Sequence, residues 1–160
     1  MKVFPLTLIL VLTLSSLAFS QIRPRALGVP FGILPTGPLN SITDVSGVLV
    51  GHLTKIEGQQ IRTGVTVILP HDGNLFQEKV PAAIFVGNGF GKLAGVTQVQ
   101  ELGNLESPII LTNTLSVAAG IEGVVRHSLA QSGNELMQSV NAVVGAVSYT
   151  HLTLPTNREV

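Results

Sequence analysis

The sequence predicts a mixed α/β fold, in which short buried strands alternate with two helices. Short runs of apolar, often β-branched residues predict five strands, at about residues 48–50, 65–69, 82–86, 109–112 and 140–144. These runs are continuous rather than alternating, which is typical of strands covered on both faces. Helical spacing recurs after the third run and again after the fourth. Strands and helices in this order favour packed α/β layers.

The first helix lies between the third and fourth strands. Leu93, Val96, Val99 and Leu102 recur every three residues, with polar residues between them. Gly103 follows and is a natural stop, because glycine readily adopts the left-handed conformation that ends many helices. We therefore expect a helix that ends at Gly103.

The second helix is predicted over about residues 116–132, with Gly133 ending it. Its inner side is predicted to carry Val117, Ile121, Val124, Val125 and Leu129. Gly120 and Gly123 each lower helix propensity by roughly 1 kcal/mol relative to alanine. We expect a close approach between this helix and the sheet to explain both glycines.

The first 20 residues have the pattern of a signal peptide. Lys2 precedes an almost wholly apolar stretch over residues 3–14, and the small residues Ala18 and Ser20 occupy the positions that a signal peptidase reads. A membrane anchor is the alternative, but the apolar stretch is shorter than the roughly 20 residues that a spanning helix needs. We therefore expect cleavage after Ser20, a mature chain beginning at Gln21, and a secreted or periplasmic protein that is free of the membrane after cleavage.

The composition excludes several classes of partner. Basic and acidic residues balance at 9 each, so no basic surface is available to neutralise a nucleic-acid backbone. Hydrophobic residues make up 45% of the chain against 11% charged, which indicates a packed core rather than a disordered segment. The sequence contains no cysteine and therefore no disulfide framework.

A glycine-rich segment, Gly87-Asn88-Gly89-Phe90-Gly91-Lys92, joins the third predicted strand to the first helix. A phosphate-cradling loop would need glycine at position 86 and serine or threonine at 93, so that interpretation fails. A dinucleotide fingerprint would need Gly89, Gly91 and Ala94, with Glu106 as an early ribose ligand, and we predict no cofactor. A glycine-rich turn with positive φ fits better. Close approach of this backbone to a peptide makes Asn88 and Gly89 candidates for a substrate cleft.

A second polar segment, Thr112-Asn113-Thr114-Leu115-Ser116, joins the fourth strand to the second helix. Thr114 or Ser116 would be a competent helix N-cap. The amide of Asn113 and the hydroxyls of Thr114 and Ser116 could also face a cleft at the end of the strand, and these three residues complete the candidate cleft.

No residues in this sequence form an evident nucleophile with its base. Cysteine is absent, no GxSxG elbow occurs, and no serine has an obvious histidine partner. The four histidines have no metal-ligand spacing, and no metal is predicted. His71-Asp72-Gly73 is interpreted as a turn, and Arg62-Thr63-Gly64 as turn chemistry or a buried guanidinium anchor.

From Asn40 to Val144 the chain resembles the L-aminopeptidase/D-esterase family, which includes the β-peptidyl aminopeptidases. Matching segments occur in the family's order at residues 40–52, 62–66, 88–91, 101–103, 107–109 and 112–117. Ser46 stands where the family commonly has proline. The resemblance implies a partial αββα sandwich like that of N-terminal-nucleophile hydrolases, with the C-terminal half missing.

The resemblance also implies an activity and a partner. Family precursors cut themselves before a serine, which then attacks peptides, amino-acid amides or esters, and the complete proteins tend to form homo-oligomers. The family's acidic residue and its neighbours would begin at Ala146, and its nucleophile lies further on, so no catalytic residue can be assigned here. We expect residues 21–146 to be the N-terminal part of a peptidase domain and to be inactive alone.

Residues 147–160 fit neither strand nor helix, and we interpret them as a non-native tail that packs against nothing. An ordinary polar C-terminal tail is the alternative. For the function, the rival hypothesis is a small exported α/β module that binds peptides through residues 87–91 without catalysis.

Overall fold

The computed structural model of the chain describes residues 24–29 and 31–147. It divides into two units, residues 1–35 and 36–160. The described part of the first unit contains one short 3-10 helix, Pro24–Leu27, with no buried residue. The predicted signal peptide and residues 148–160 of the predicted tail lie outside the described residues, so both remain predictions.

The described part of the second unit, residues 36–147, contains two β-sheets. Its strands in chain order are β1 (Leu49–Glu57), β2 (Ile61–Leu69), β3 (Val80–Pro81), β4 (Asn104–Leu105), β5 (Ile109–Asn113) and β6 (Val143–Val147). The larger sheet has the order β1-β2-β5-β6, and β3 pairs with β4. The β1–β2 and β2–β5 pairs are antiparallel, whereas β5 and β6 are parallel. Because β5 and β6 are parallel, they end at the same edge of the sheet.

Two helices follow the predicted pattern with different bounds. α1 spans Val96–Leu102 and ends at Gly103, as predicted: the φ of Gly103 is +66° and its N–H donates to the Val99 carbonyl. α2 spans Val117–Leu129, so it stops before Gly133. No helix within residues 24–29 and 31–147 has the length and apolar character required to cross a membrane.

The predicted third strand, residues 82–86, is wrong. Only β3, just before it, pairs with β4, and Ala82 adds one bond from its N–H to the Gly103 carbonyl. Ala82 and Ile84 still pack against a buried cluster, whereas the Phe85 side chain is 92% exposed. A continuous apolar run can therefore pack alternate side chains into a core without forming a strand.

The apolar core lies on both faces of β5 and β6, since neighbouring residues of a strand point to opposite faces. On one face Ile110 and Val144 pack with Val124 of α2. Ile109 and Val143 belong to a second cluster, which contains Val99 of α1, Leu105, Val80, Ala82 and Ile84. Burial on both faces is thus confirmed for β6 and, in β5, for Ile109 and Ile110, whereas Leu111 is exposed.

The β1–β2 hairpin departs from that expectation. Both strands are nine residues long, well beyond the predicted apolar runs. The side chains of Leu53 and Ile56 in β1 are 69% and 64% exposed. Burial on both faces is therefore wrong for β1.

The two glycines of α2 have different surroundings. A Cβ added to Gly120 would lie 2.8 Å from Val144 Cγ1, which confirms the close approach of helix and sheet. A Cβ on Gly123 would meet nothing within 4 Å, so the same expectation is wrong there. The predicted inner side is correct for Val124, which is buried, and for Val117, which packs against the same cluster. It is wrong for Ile121 and Leu129, which are exposed, and Ser128 is buried instead.

Candidate functional site

The two candidate cleft segments lie at the edge where β5 and β6 end, called here the carboxyl edge. The 3-10 turn Thr114–Ser116 continues directly from β5. The 3-10 turn Gly89–Gly91 lies against β6: a Cβ added to Gly91 would be 2.9 Å from the Ala146 carbonyl oxygen. From there the chain runs along β6, where the Ala94 N–H donates to the Val144 carbonyl. The fold thus brings together two segments that are separated in the sequence.

Asn113 fixes the turn at the end of β5. Its Oδ1 accepts hydrogen bonds from the N–H groups of Leu115 and Ser116, both at 3.0 Å. Its Nδ2 donates to Thr63 Oγ1 of β2 at 2.8 Å. The prediction that Thr114 or Ser116 provides the cap is wrong, since Ser116 makes no side-chain cap bond. The 3-10 turn precedes α2, so the cap moves to the residue before that turn.

Thr114 and Ser116 are half-buried residues. Within the part of the chain that the structure describes, neither hydroxyl has a hydrogen-bond partner. Capping by Asn113 leaves both groups available to a ligand at the carboxyl edge. A hydroxyl can donate and accept one hydrogen bond at the same time, as a peptide group requires.

Thr63 and Gly64 belong to strand β2, so the interpretations of Arg62-Thr63-Gly64 as a turn or a buried anchor are wrong. The Arg62 guanidinium is exposed and donates to the neighbouring Ile61 carbonyl. A Cβ on Gly64 would lie 2.5 Å from the Leu53 carbonyl oxygen, so only glycine fits. The β-branched run that follows this segment was the one sequence feature that could have placed Thr63 in a strand. The contact of Thr63 with Asn113 joins residues fifty positions apart, so no local pattern predicts it.

The loop at residues 88–92 is held by Asn88, whose Oδ1 accepts from the Phe90 N–H at 2.9 Å. Asn88 and Gly89 are exposed. The predicted positive φ for this loop does not occur at its glycines; it occurs at Lys92, with φ of +52°, and at Gly95 beyond it. Gly91 is instead required by its contact with Ala146.

One imidazole–hydroxyl pair exists among the described residues. His52 Nδ1 lies 2.9 Å from Thr66 Oγ1, across the β1–β2 pair and away from the carboxyl edge. No carboxylate in the described part of the chain orients this imidazole, so the pair is a cross-strand polar contact. The chain bends at residues 71–73, where a turn was predicted. His71 Nδ1 accepts from the Gly73 N–H, so its Nε2 donates to the Glu78 carbonyl. The described residues contain no group of three or more His, Asp or Glu side chains that could hold a metal.

A buried carboxylate positions the start of β6. Glu106 Oε1 accepts from the backbone N–H of Asn141 at 2.8 Å and from its Nδ2 at 2.9 Å, and Oε2 lies 3.3 Å from Lys79 Nζ. Burial, the largest single influence, raises the pKa of Glu106. The bonds from Asn141 and the Lys79 ammonium together outweigh it and hold the pKa below 4.5. Next to it, Ser107 Oγ accepts from the Val143 N–H. The sequence contained no local signal for this role of Glu106.

Comparison with known proteins shows what this fold and sequence resemble. Peptidase family S58 matches residues 40–157. The beta-peptidyl aminopeptidase BapA of Sphingosinicella xenopeptidilytica is 37% identical over 142 residues, which cover 84% of this chain and 35% of that protein. The chain therefore spans about a third of the length of this curated relative.

Two solved structures share the architecture. A protein from Pyrococcus horikoshii OT3 is 43% identical with a TM-score of 0.72, over 79% of this chain and 39% of that one. The L-aminopeptidase D-Ala-esterase/amidase of Ochrobactrum anthropi, a serine aminopeptidase with a variant of the Ntn hydrolase fold, is 32% identical with a TM-score of 0.62. Here 78% of this chain covers 37% of that one, so the described fold is part of an Ntn-hydrolase-like α/β architecture. On the extent of the family match, this chain belongs to peptidase family S58.

Proposed function

We propose that the chain is the N-terminal part of an exported, self-processing serine aminopeptidase that releases N-terminal residues from peptides, amides or esters. The observation that carries the proposal is the S58 match over residues 40–157. The names of the relatives support the substrate class, since they include a beta-peptidyl aminopeptidase and an aminopeptidase-esterase/amidase. Export rests on the signal-peptide pattern of residues 1–20, and homo-oligomerisation of the complete protein on the family resemblance.

The carboxyl edge supports a binding role for this part of the protein. It offers the hydroxyls of Thr114 and Ser116, and the exposed loop at Asn88 and Gly89. Such groups suit the N–H and C=O groups of a peptide or the carbonyl of an ester. We place the substrate's scissile region beside this edge.

The nucleophile, in this proposal, comes from the rest of a longer protein. No serine is hydrogen-bonded to a histidine within residues 24–29 and 31–147, and the Thr66–His52 pair lacks an orienting group. A serine that becomes N-terminal through self-cleavage can use its own α-amine as the base, so it needs no histidine. The fact that the chain spans 35% of its relative leaves room for such a segment.

The test compares residues 21–160 alone with a precursor that fuses residues 21–145 to the part of the Sphingosinicella relative that follows the position matched to Gly145. We expect the chain alone to leave an aminoacyl p-nitroanilide and an aminoacyl ester unhydrolysed. We expect the fusion to split into two pieces and to hydrolyse both. Replacing the serine at the new N-terminus by alanine is the control, and it should abolish splitting and turnover together.

Two other outcomes would contradict the proposal. Turnover by the chain alone that disappears in Ser116→Ala or His52→Ala would place the active site in this part of the protein. Peptide binding without turnover in both forms would favour the small binding module. Reading the source DNA across codon 146 separates the two hypotheses independently: an open frame that continues into a Gly-Ser processing site supports the peptidase, and a confirmed stop after Val160 supports the module.

A further inference from the structure

The loop beside β6 contains the only Asn-Gly dipeptide of the sequence, Asn88-Gly89. An asparagine followed by glycine can cyclise, because the backbone nitrogen of the next residue can reach the side-chain carbonyl carbon when no Cβ obstructs it. We propose that Asn88 is a site of spontaneous deamidation, and that its conversion to aspartate and isoaspartate alters the carboxyl edge.

The geometry leaves the reacting groups accessible. Both residues are exposed, and a Cβ on Gly89 would meet nothing within 4 Å. Among the described residues, the Gly89 N–H has no hydrogen-bond acceptor, so the nucleophilic nitrogen is free. The Phe90 N–H donates to Asn88 Oδ1 at 2.9 Å, which draws electron density from the carbonyl carbon that is attacked.

The reaction needs only water. The Gly89 nitrogen loses its proton and forms a bond to Asn88 Cγ; the Cγ–Nδ2 bond breaks, and Nδ2 leaves as ammonia with that proton. Water then opens the resulting succinimide at either carbonyl. Opening at Cγ gives aspartate, and opening at the backbone carbonyl gives isoaspartate, in which the main chain runs through the side-chain carbon.

The surroundings give this change a consequence. Isoaspartate adds one carbon to the main chain three residues before Gly91, where not even a Cβ fits against the Ala146 carbonyl. Both products add a negative charge to a loop whose nearby Lys92 ammonium lies over the Phe90 ring, 4.3 Å from its centre. The effect on substrate handling rests on the proposed function, whereas the modification itself does not.

Asn113 provides a matched comparison within the same chain. Its Oδ1 also accepts backbone N–H groups, from Leu115 and Ser116. The residue after it, Thr114, is β-branched and shields its own backbone nitrogen. A polarised carbonyl is therefore common to both asparagines, and the glycine is what distinguishes Asn88.

The experiment incubates residues 21–160 at mildly alkaline pH, and follows each asparagine by peptide mapping, mass spectrometry and isoaspartyl detection. We expect Asn88 to lose its amide before every other asparagine, with isoaspartate among the products, while Asn113 stays intact. Gly89→Ala fits the open space at that position, and should slow the loss by about tenfold or more, because alanine restricts the backbone that must bend.

A urea-denatured sample supplies the second comparison, and the native sample is kept folded with an excluded osmolyte and checked by far-UV circular dichroism. A native rate close to the denatured rate supports accessibility in the fold, whereas strong protection of Asn88 in the native chain would overturn the proposal. It would equally be overturned by loss at Asn113 first, or by a rate that Gly89→Ala leaves unchanged. These readouts are chemical, so they stand even where the aminopeptidase proposal fails.

Discussion

Gly120 of α2 offers a sharp test of the packing between helix and sheet. In Gly120→Ala the new Cβ would lie 2.8 Å from Val144 Cγ1 and 3.4 Å from Ile110 Cγ2. Val144 is fully buried, and its β-branched side chain has little freedom to move aside. Gly123→Ala is the matched control, because it lies three residues later in the same helix and its Cβ would meet nothing within 4 Å.

The magnitudes follow from two opposing effects. Replacing glycine by alanine inside a helix stabilises by about 1 kcal/mol, and this gain is common to both variants. Overpacking a tight core costs about 1–3 kcal/mol and applies only at Gly120. We therefore expect Gly123→Ala to be stabilised by about 1 kcal/mol, and Gly120→Ala to lie about 1–3 kcal/mol below it.

The assay is urea unfolding followed by far-UV circular dichroism, with an excluded osmolyte present to give a clear folded baseline. At an m-value of about 2 kcal/mol/M, a gap of 2 kcal/mol separates the two midpoints by about 1 M. Equal midpoints above that of the parent chain would refute the close approach of α2 and β6. Equal midpoints below it would instead show that helix propensity does not govern this helix.

Three further predictions test the polar contacts and the leader. Glu106→Gln should destabilise by about 1.5–3 kcal/mol, since it weakens charged hydrogen bonds in a buried site. Because the pKa of Glu106 in the folded chain is below 4.5, the stability that its carboxylate contributes is complete above that pH and is lost as the pH falls through the lowered pKa. A pH series of urea midpoints should therefore show that the variant loses less stability in acid than the parent chain. An equal loss in both would contradict this. Asn113→Ala should cost about 0.5–2 kcal/mol by removing the cap, whereas Thr63→Val, which removes only the hydroxyl, should cost less by the same measurement. Exported protein should begin at Gln21 by intact mass, and a retained Met1 with membrane association would overturn the signal-peptide prediction.

Local signals predicted the elements that depend on local chemistry. Gly103 ends α1 because glycine adopts the left-handed conformation there without strain. The apolar runs that became β5 and β6 were recognisable because helices cover both of their faces. Residues 82–86 have a similar apolar pattern and yet form no strand. The pattern predicts contact with the core, which occurs, but a strand also needs a neighbouring strand to pair with.

Long-range contacts explain what the sequence did not predict. β1 and β2 extend through polar and exposed residues to a turn at Gly58, because the two strands pair with each other along their whole length. The cleft candidates were found by residue type, but the role of Asn113 as a cap depends on the 3-10 turn that follows it. Its bond to Thr63, and the bond between Glu106 and Asn141, join segments that only the fold brings together.

Val147, the first residue of the predicted tail, is another residue whose structure depends on a long-range contact. Val147 belongs to that tail by sequence pattern, yet it pairs with Asn113 as the last residue of β6. Pairing with the parallel strand β5 can extend β6 by one residue that the sequence pattern did not predict to be in a strand. The interpretation as neither strand nor helix is therefore wrong at Val147, whereas the expectation of no packing remains a prediction for the tail.

The exposed apolar side chains of β1 bear on how stable this part of the protein is alone. Burying one side chain the size of Leu53 or Ile56 contributes about 1.5–3 kcal/mol. A domain's net stability is only about 5–15 kcal/mol, so two such residues left in water are a large fraction of it. Leu111 of the central strand β5 is also 41% exposed. An apolar side chain in the middle of a sheet, together with an uncovered edge strand, favours association with other chains. These features agree with the proposal that the chain functions within a longer protein, and they give a physical reason to expect low stability when it is produced alone.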